Sequence, residues 1–175
     1  INHFISPINI GTFGRLLEKV KEFGVRMDEI SIEVARNSPF FVNENIPIAN
    51  DDRIIEELEN ISGLYRQSRF SLRRLLREIY TKEMIHYIQT GKRKIPCAAG
   101  FASVHMDPYG NVYGCSQLKI AVGSIRLNTI QEILDGATMK KWRSEFAHNC
   151  ERCLSGCEGV TSIVQNMPDA LFKYA

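Results

Sequence analysis

Residues 97–115 read CAAGFASVHMDPYGNVYGC, and residues 150–157 read CERCLSGC. These two stretches hold all five cysteines of the 175-residue chain. An odd number of cysteines, in a chain that shows no secretory leader, argues against a disulfide framework. Clustered thiols in a reducing compartment more often bind metal, so we expect a cytoplasmic protein with a thiolate metal centre. The candidate metal ligands are Cys97, Cys115, Cys150, Cys153 and Cys157.

Two kinds of metal centre suit these ligands. Structural zinc usually takes four ligands from two short chelates, but only Cys150 and Cys153 have that spacing here. Cys97 and Cys115 are separated by 17 residues, so they meet only if the chain between them folds back. A [4Fe–4S] cluster accepts one short run of cysteines together with remote ones. The spacing favours the cluster, and a zinc-binding structural or interaction module without redox activity is the alternative.

The residues around the cysteines predict a hairpin and a helix. Residues 101–106 alternate as a strand does, residues 107–111 (DPYGN) carry turn-forming residues, and residues 112–115 return as the partner strand. Thr129 and Glu132 then form a capping box. It opens one predicted amphipathic helix, whose inward positions are Ile130, Ile133, Leu134, Ala137 and Trp142.

The N-terminal residues predict a strand, a helix and a second strand. Residues 1–9 favour a strand and then a loop, and residues 27–35 favour another strand. Between them lies an apolar helical stripe, with Thr12 as the predicted N-cap and Gly24 as the stop. The stripe consists of Phe13, Leu16, Leu17, Val20 and Phe23. Such a βαβ unit implies a parallel pair of strands. Two strands do not make a stable parallel sheet alone, so we expect the chain to be part of a longer protein.

Two further helices are predicted before the first cysteine. Residues 37–50 hold two prolines without periodicity and predict a loop. A helix opens at Asp51 and Asp52 and is expected to end near Ser62 and Gly63. A longer apolar stripe follows, capped by Ser71 or Ser68 and ended by Gly91. Residues 91–94 are then expected to link domains at 1–94 and 95–175.

Charge and composition exclude several classes of protein. The hydrophobic fraction is 44% and the net charge is +2, so the chain is not predominantly disordered. No apolar run reaches the roughly 20 residues of a membrane span. Residues 65–94 carry nine Lys or Arg and two Glu, a net charge of +7. Without interleaved aromatics or a groove-reading motif, this charge does not favour a nucleic-acid partner; it indicates a solvated helix face or a patch that meets an acidic neighbour. Attraction of an acidic peptide is a further hypothesis.

The cysteine pattern resembles the SPASM or twitch domain, which carries an auxiliary iron–sulfur cluster at the C-terminus of radical S-adenosylmethionine (SAM) enzymes. The resemblance covers about residues 95–165 and rests on Cys97, on Gly110 followed by Cys115, on VGSIRLNTIQEIL at 122–134, and on the cysteines at 150–157. Residues 1–36 are similar, more weakly, to a late βαβ unit of the partial (β/α)6 radical SAM barrel. The implied fold class is an α/β fragment of that barrel (1–94), followed by a small α+β SPASM/twitch domain (95–175).

The resemblance also implies cofactors. The full SPASM pattern has seven cysteines for two auxiliary clusters, so five fit the single cluster of the twitch variant. Cys97, Cys115 and Cys157 are the implied ligands, with Cys150 or Cys153 as the fourth. The family's Cys-x3-Cys-x2-Cys motif, which binds the SAM-cleaving cluster, is absent. We therefore expect SAM and a second [4Fe–4S] cluster in a preceding N-terminal part, and no SAM cleavage by this chain alone.

The resemblance further implies a radical reaction for the full-length enzyme. A SAM-derived radical abstracts hydrogen from a peptide, protein or small-molecule substrate. The auxiliary cluster relays electrons or anchors the substrate, and a flavodoxin or ferredoxin is the expected electron donor. Loops after parallel barrel strands face the site, so Asn9, Glu33 and Arg36 are candidate SAM or substrate contacts. Solvated loop residues are the alternative interpretation.

Overall fold

The computed structural model describes residues 1–35, 52–146, 150 and 153–174. It is an α/β arrangement of helices with a two-stranded and a three-stranded sheet. The elements in chain order are β1 (Asn2–Ile5), α1 (Phe13–Lys21), β2 (Ser31–Val34), α2 (Asp52–Gln67), α3 (Leu72–Thr90), β3 (His105–Met106), β4 (Asn111–Tyr113), β5 (Ala121–Ser124), α4 (Ile130–Asp135), α5 (Ala137–Phe146), α6 (Gly156–Gln165) and α7 (Met167–Tyr174). In this part of the chain we find no helix with the length and apolar character needed to cross a membrane.

The predicted parallel pair of strands is confirmed. β1 pairs with β2 from Asn2 opposite Ser31 to Ile5 opposite Val34, with α1 as the crossover. The second strand begins later than predicted, because Met27–Glu29 form a turn of 3-10 helix. The amide of Ile30 closes that turn on the carbonyl of Met27 at 3.2 Å.

The details of α1 differ from the prediction at both ends. Thr12 stands at the N-cap position, but its backbone is helical and its side chain caps no amide. Its hydroxyl donates instead to the carbonyl of Asn9 at 2.7 Å, so the predicted N-cap position is confirmed, but the Thr12 side chain makes no capping hydrogen bond there. Phe23 was expected on the buried stripe, yet it follows the end of the helix and is 74% exposed. Gly24 has φ +72°, which confirms it as the point where the chain leaves the helix.

The second predicted helix is longer than expected. α2 continues through Ser62 and Gly63 to Gln67, because Ile61 and Tyr65 are fully buried and extend its apolar face beyond the glycine. The caps of α3 are confirmed: the Ser71 hydroxyl accepts from the amide of Arg74, and Gly91 has φ +70°. The predicted loop at 37–50 lies outside the described residues.

The basic segment surrounds a buried carboxylate. Glu78 on α3 is 6% exposed, and three cations lie within 3.0–3.3 Å of its oxygens. They belong to Arg66, Arg74 and Lys82. Burial alone would raise the pKa of Glu78, but hydrogen bonds from Lys82 and Arg66, with the charges of Lys82 and Arg74, hold that pKa below its ordinary value. Three of the positive charges in this segment therefore neutralise a buried carboxylate.

Two apolar cores organise the described residues. The larger core joins β1, β2 and helices α1–α3 to residues of the C-terminal helices, among them Ile163, Ala170 and Tyr174. The smaller core contains Cys97, Cys115 and Trp142. Although α6 contains the last cysteine and α7 follows it, the buried apolar side chains of both helices lie in the first core. The expected domain boundary at residue 94 stays a prediction.

A second buried carboxylate holds the expected linker in place. Glu83 on α3 is fully buried. It accepts from the amides of Lys94 and Ile95 at 2.9 and 3.1 Å and from the hydroxyl of Tyr174. These bonds satisfy donors that are buried between α3 and α7. The chain thus enters the cysteine-bearing half at a fixed position.

Stability should depend on the ionised form of Glu78 at low pH. Because folding holds the pKa of this group below its ordinary value of 4.5, the unfolded chain takes up the proton first as the pH falls. The stabilisation is present above about pH 4.5 and is lost as the pH falls through the folded-state pKa. Glu78→Gln should lower the free energy of unfolding by about 1–3 kcal/mol at pH 7, and the deficit should shrink at acidic pH. Urea denaturation at several pH values measures this.

The matched control is Glu59→Gln, on an exposed position of α2. It should change the free energy of unfolding by less than about 0.5 kcal/mol at pH 7. A Glu78→Gln protein with wild-type stability and the wild-type pH dependence would contradict the assigned role of the buried carboxylate.

Candidate metal centre

The predicted hairpin is confirmed and places Cys115, but its first strand is shorter than predicted because residues 101–102 form a turn on the carbonyl of Ala98. β3 pairs with β4 in antiparallel register, Met106 opposite Val112. The carboxylate of Asp107 closes the turn by accepting from the amides of Tyr109 and Asn111, each at 2.9 Å. It also accepts from the Asn111 side chain and the Tyr113 hydroxyl, and these hydrogen bonds lower the pKa of Asp107. Gly110 completes the turn with φ +86°. Cys115 follows the returning strand by two residues.

A third strand and a broken helix were not predicted. β5 pairs with β4, with Gly123 opposite Val112, and the space at Gly123 is filled by Ile133. The capping box of Thr129 and Glu132 is confirmed. The single helix expected after it is instead divided at Gly136, whose backbone is extended. α5 therefore begins as a separate helix at Ala137.

The inward positions predicted for that helix are only partly right. Ile133 and Trp142 are buried, at 4% exposure each, and Leu134 packs against the same core. Ile130 is 44% exposed and Ala137 is exposed as well, so both are wrong. The reason is the break at Gly136, because one helical stripe no longer runs through both helices. Met139, absent from the prediction, is fully buried instead.

Trp142 lies against two glycines that flank the cysteines. A Cβ atom on Gly114 would overlap the indole ring, and so would one on Gly100. Gly100 also has φ +78°, a conformation that other residues rarely adopt. The indole therefore packs directly on backbone, next to Cys115 and within the same apolar cluster as Cys97.

The Cys115 thiol is buried and receives backbone hydrogen bonds. The amide of Gln117 donates to its Sγ at 3.4 Å, and the amide of Leu118 also donates. Burial raises the pKa of this thiol to about 11, against the lowering effect of the two amides, and Cys153 and Glu158 raise it further. Cys153 thus belongs to the electrostatic surroundings of Cys115. Amide donors to sulfur are typical of iron–sulfur ligands, whose thiolates they stabilise.

The last two described cysteines lie around the start of α6. Ser155 is the N-cap of this helix, and Cys157 lies exposed in its first turn. The next residue, Glu158, is buried and accepts from the Ser103 hydroxyl at 2.7 Å. One turn later, the Ser162 hydroxyl accepts from the amide of Ala98 at 2.9 Å. These two bonds hold the segment after Cys97 against the helix that carries Cys157.

All five thiols are free, and Cys150 is half-buried. Within the described ranges, no three His, Cys, Asp or Glu side chains lie close enough together to share a metal ion. The structure thus places the cysteine-bearing segments next to each other, but no three of the described thiols lie close enough together to share one metal ion.

Two buried donors test whether these residues fit an anionic iron–sulfur cluster. Four buried side-chain nitrogens lack a hydrogen-bond partner in the part of the chain that the structure describes, and two of them, Trp142 Nε1 and Arg93 Nη2, lie near cysteines. Arg93 also donates through Nη1 to the carbonyl of Cys153 at 3.4 Å. Orphaned buried donors are costly, and a thiolate-ligated cluster carries sulfur acceptors and negative charge. The donor set therefore fits such a cluster.

The candidate substrate residues have different surroundings. The Asn9 amide oxygen accepts from both the amide and the hydroxyl of Ser6, and its nitrogen donates to the carbonyl of Phe4. Asn9 thus closes its own loop. Glu33 lies against Gly156, where a Cβ atom would overlap its carboxylate. Arg36 lies outside the described residues. The proposed roles of all three stay predictions.

Comparison with known proteins finds a family whose model matches the cysteine-bearing region. Residues 97–158 match SPASM, described as an iron–sulfur cluster-binding domain. The matched range contains all five cysteines. Searches of curated proteins and of solved structures gave no match. The comparison supports an iron–sulfur cofactor for this region.

The close packing of Trp142 on Gly114 predicts opposite effects for two Gly→Ala changes. Gly114→Ala should lower the free energy of unfolding by about 1–3 kcal/mol, because the new methyl group forces the indole to move. Gly63→Ala is the matched control, since nothing lies within 4 Å of a Cβ atom there. In the interior of α2 it should raise stability by about 0.5–1 kcal/mol. Chemical denaturation of both proteins measures the difference, and a neutral Gly114→Ala would contradict the packing.

Proposed function

We propose that this chain binds one auxiliary [4Fe–4S] cluster and acts as the C-terminal part of a radical SAM enzyme. The observation that carries the proposal is the SPASM match over residues 97–158, which includes every thiol of the chain. The proposed ligands are Cys97, Cys115 and Cys157, with Cys150 or Cys153 as the fourth. SAM, the SAM-cleaving cluster and the remaining strands of a partial barrel belong to a preceding part. The enzyme is proposed to be cytoplasmic.

The surroundings of the thiols explain how the chain would hold such a group. When bound, the cluster supplies one-electron transfer. The amides of Gln117 and Leu118 donate to the Cys115 sulfur and favour its thiolate form. The indole of Trp142 excludes water from the Gly100 and Gly114 side. The Arg93 guanidinium, bonded to the Cys153 carbonyl, places a positive charge beside the ligands.

One contact supports a role of the cluster in electron relay or substrate anchoring. Phe4 and Glu33 are opposite each other in the parallel pair and lie on the same sheet face. Glu33 reaches the α6 residue before Cys157, while Phe4 is 53% exposed. In the proposed barrel this face is turned towards the substrate. The same strand pair then meets both the substrate and the helix of a cluster ligand, which suits electron relay or substrate anchoring.

The substrate class is proposed only broadly, as a peptide, a protein or a small molecule, with flavodoxin or ferredoxin as electron donor. The basic α3 offers limited support for an acidic peptide. Arg74 is bound to Glu78 and is only 11% exposed, whereas Arg73 is 56% exposed and lies 3.8 Å from Glu29. Of these two arginines, Arg73 is the one that can meet a ligand without disturbing the fold.

Metal analysis of protein purified without oxygen tests the proposal. We expect about four irons and four sulfides per auxiliary site, with visible absorption that dithionite bleaches. One zinc and no sulfide would overturn the iron–sulfur assignment and indicate a structural zinc module. Iron and sulfide are counted on the 175-residue chain alone, because a longer enzyme would carry a further cluster.

Cysteine substitutions test the ligand set. Cys115→Ala and Cys97→Ala should each abolish cluster retention, because both thiols are buried in the same apolar cluster and no other cysteine follows them nearby. Of the two single variants Cys150→Ala and Cys153→Ala, one should retain its iron, since only one of these two thiols is a proposed ligand. Iron content and the visible spectrum are the measurements. Full retention of iron by Cys115→Ala would remove this ligand assignment.

A further inference from the structure

The feature that this inference uses is the indole nitrogen of Trp142. The side chain is 4% exposed, and within the described residues Nε1 is sealed from water and meets no acceptor. A buried N–H group without an acceptor is disfavoured. An acceptor absent from the polypeptide would explain why a tryptophan occupies this position.

The position of the indole identifies what that acceptor is. The ring carbon bonded to Nε1 is among those that a Cβ atom on Gly114 would overlap. Cys115 is the next residue, and Cys97 belongs to the same apolar cluster. The N–H group therefore lies close to Gly114, the residue before one proposed cluster ligand, and within the apolar cluster that also contains another. Sulfur of a bound cluster or of its thiolates is the acceptor chemistry that the proposed function brings to this place.

We propose that Trp142 donates an N–H···S hydrogen bond to the auxiliary cluster or one of its cysteine sulfurs and thereby raises the cluster's reduction potential. The inference rests on the proposed iron–sulfur function. A donor stabilises the more negatively charged, reduced state more than the oxidised state, and hydrogen bonds to sulfur are among the factors that set cluster potentials. Trp142 is thus a positioning and tuning residue, which acts through the cluster.

Trp142→Phe removes the N–H group and keeps an aromatic ring against the two glycines. We expect the variant to retain its iron while the equilibrium constant for one-electron reduction falls about tenfold, which corresponds to about 59 mV. Redox titration of anaerobically reconstituted protein, followed by the EPR signal of the reduced cluster, measures this.

Phe146→Leu is the matched control. The Phe146 ring lies tilted against Trp142 with ring centroids 5.7 Å apart, so this change disturbs packing and spares the N–H group; it should leave the potential unchanged.

A spectroscopic measurement keeps the proposal testable if the variant loses its cluster. Trp142 is the single tryptophan of the chain, so tryptophan carrying 15N only at the indole nitrogen labels one atom, Nε1. We expect a weak 15N hyperfine coupling in the reduced protein by pulsed EPR, and its absence in Trp142→Phe. An unchanged potential in a cluster-loaded Trp142→Phe, or no 15N coupling in the wild type, overturns the hydrogen bond while the cluster assignment stands. A wild type without iron and sulfide overturns the proposed function as well.

Discussion

The arrangement of the described residues depends on how closely α6 packs against its neighbours. A Cβ atom on Gly156 would overlap Glu33 of β2, and one on Gly159 would overlap the ring of Tyr80 on α3. On another side, the Ser162 hydroxyl accepts from the amide of Ala98, 64 residues away in sequence. Because the glycines leave no room for larger residues, α6 has one position relative to β2, α3 and the turn after Cys97. That position determines where Cys157 lies.

Buried polar groups show a second constraint. Glu83 and Glu78 are buried, but each is surrounded by donors or cations within the fold, which compensates for the loss of water. Trp142 and Arg93 are different, since each has a buried nitrogen that lacks an acceptor among the described residues. Both lie near the thiols, where an anionic cluster would accept from them, whereas other buried nitrogens without a partner in the described ranges lie on α3 and β1.

Local sequence signals were sufficient where a few neighbouring residues decide the conformation. The cap of α3 at Ser71, the capping box at Thr129 and the turn at Asp107 were all predictable, because their hydrogen bonds span three or four residues. Two predictions were wrong: that α2 ends near Gly63 and that one helix runs through Gly136. In both cases the burial of side chains before and after the glycine determined where the helix ends. β5, α6 and α7 were not anticipated. The short strand has no strong period, and the two helices are explained by the core that they share with α3.

The sequence by itself determined the chemistry of the site: the number of thiols, their spacing and the hairpin that returns the chain to Cys115, because these follow from residue identity and short-range turns. Only the tertiary structure decided what surrounds the thiols. The contact of Glu33 with Gly156 and the indole of Trp142 on Gly100 and Gly114 join residues from separate elements. No periodicity encodes such contacts, since they depend on how helices and strands pack after they form. The same physical reason explains why Trp142 was predicted as a core residue and its unpaired nitrogen was not.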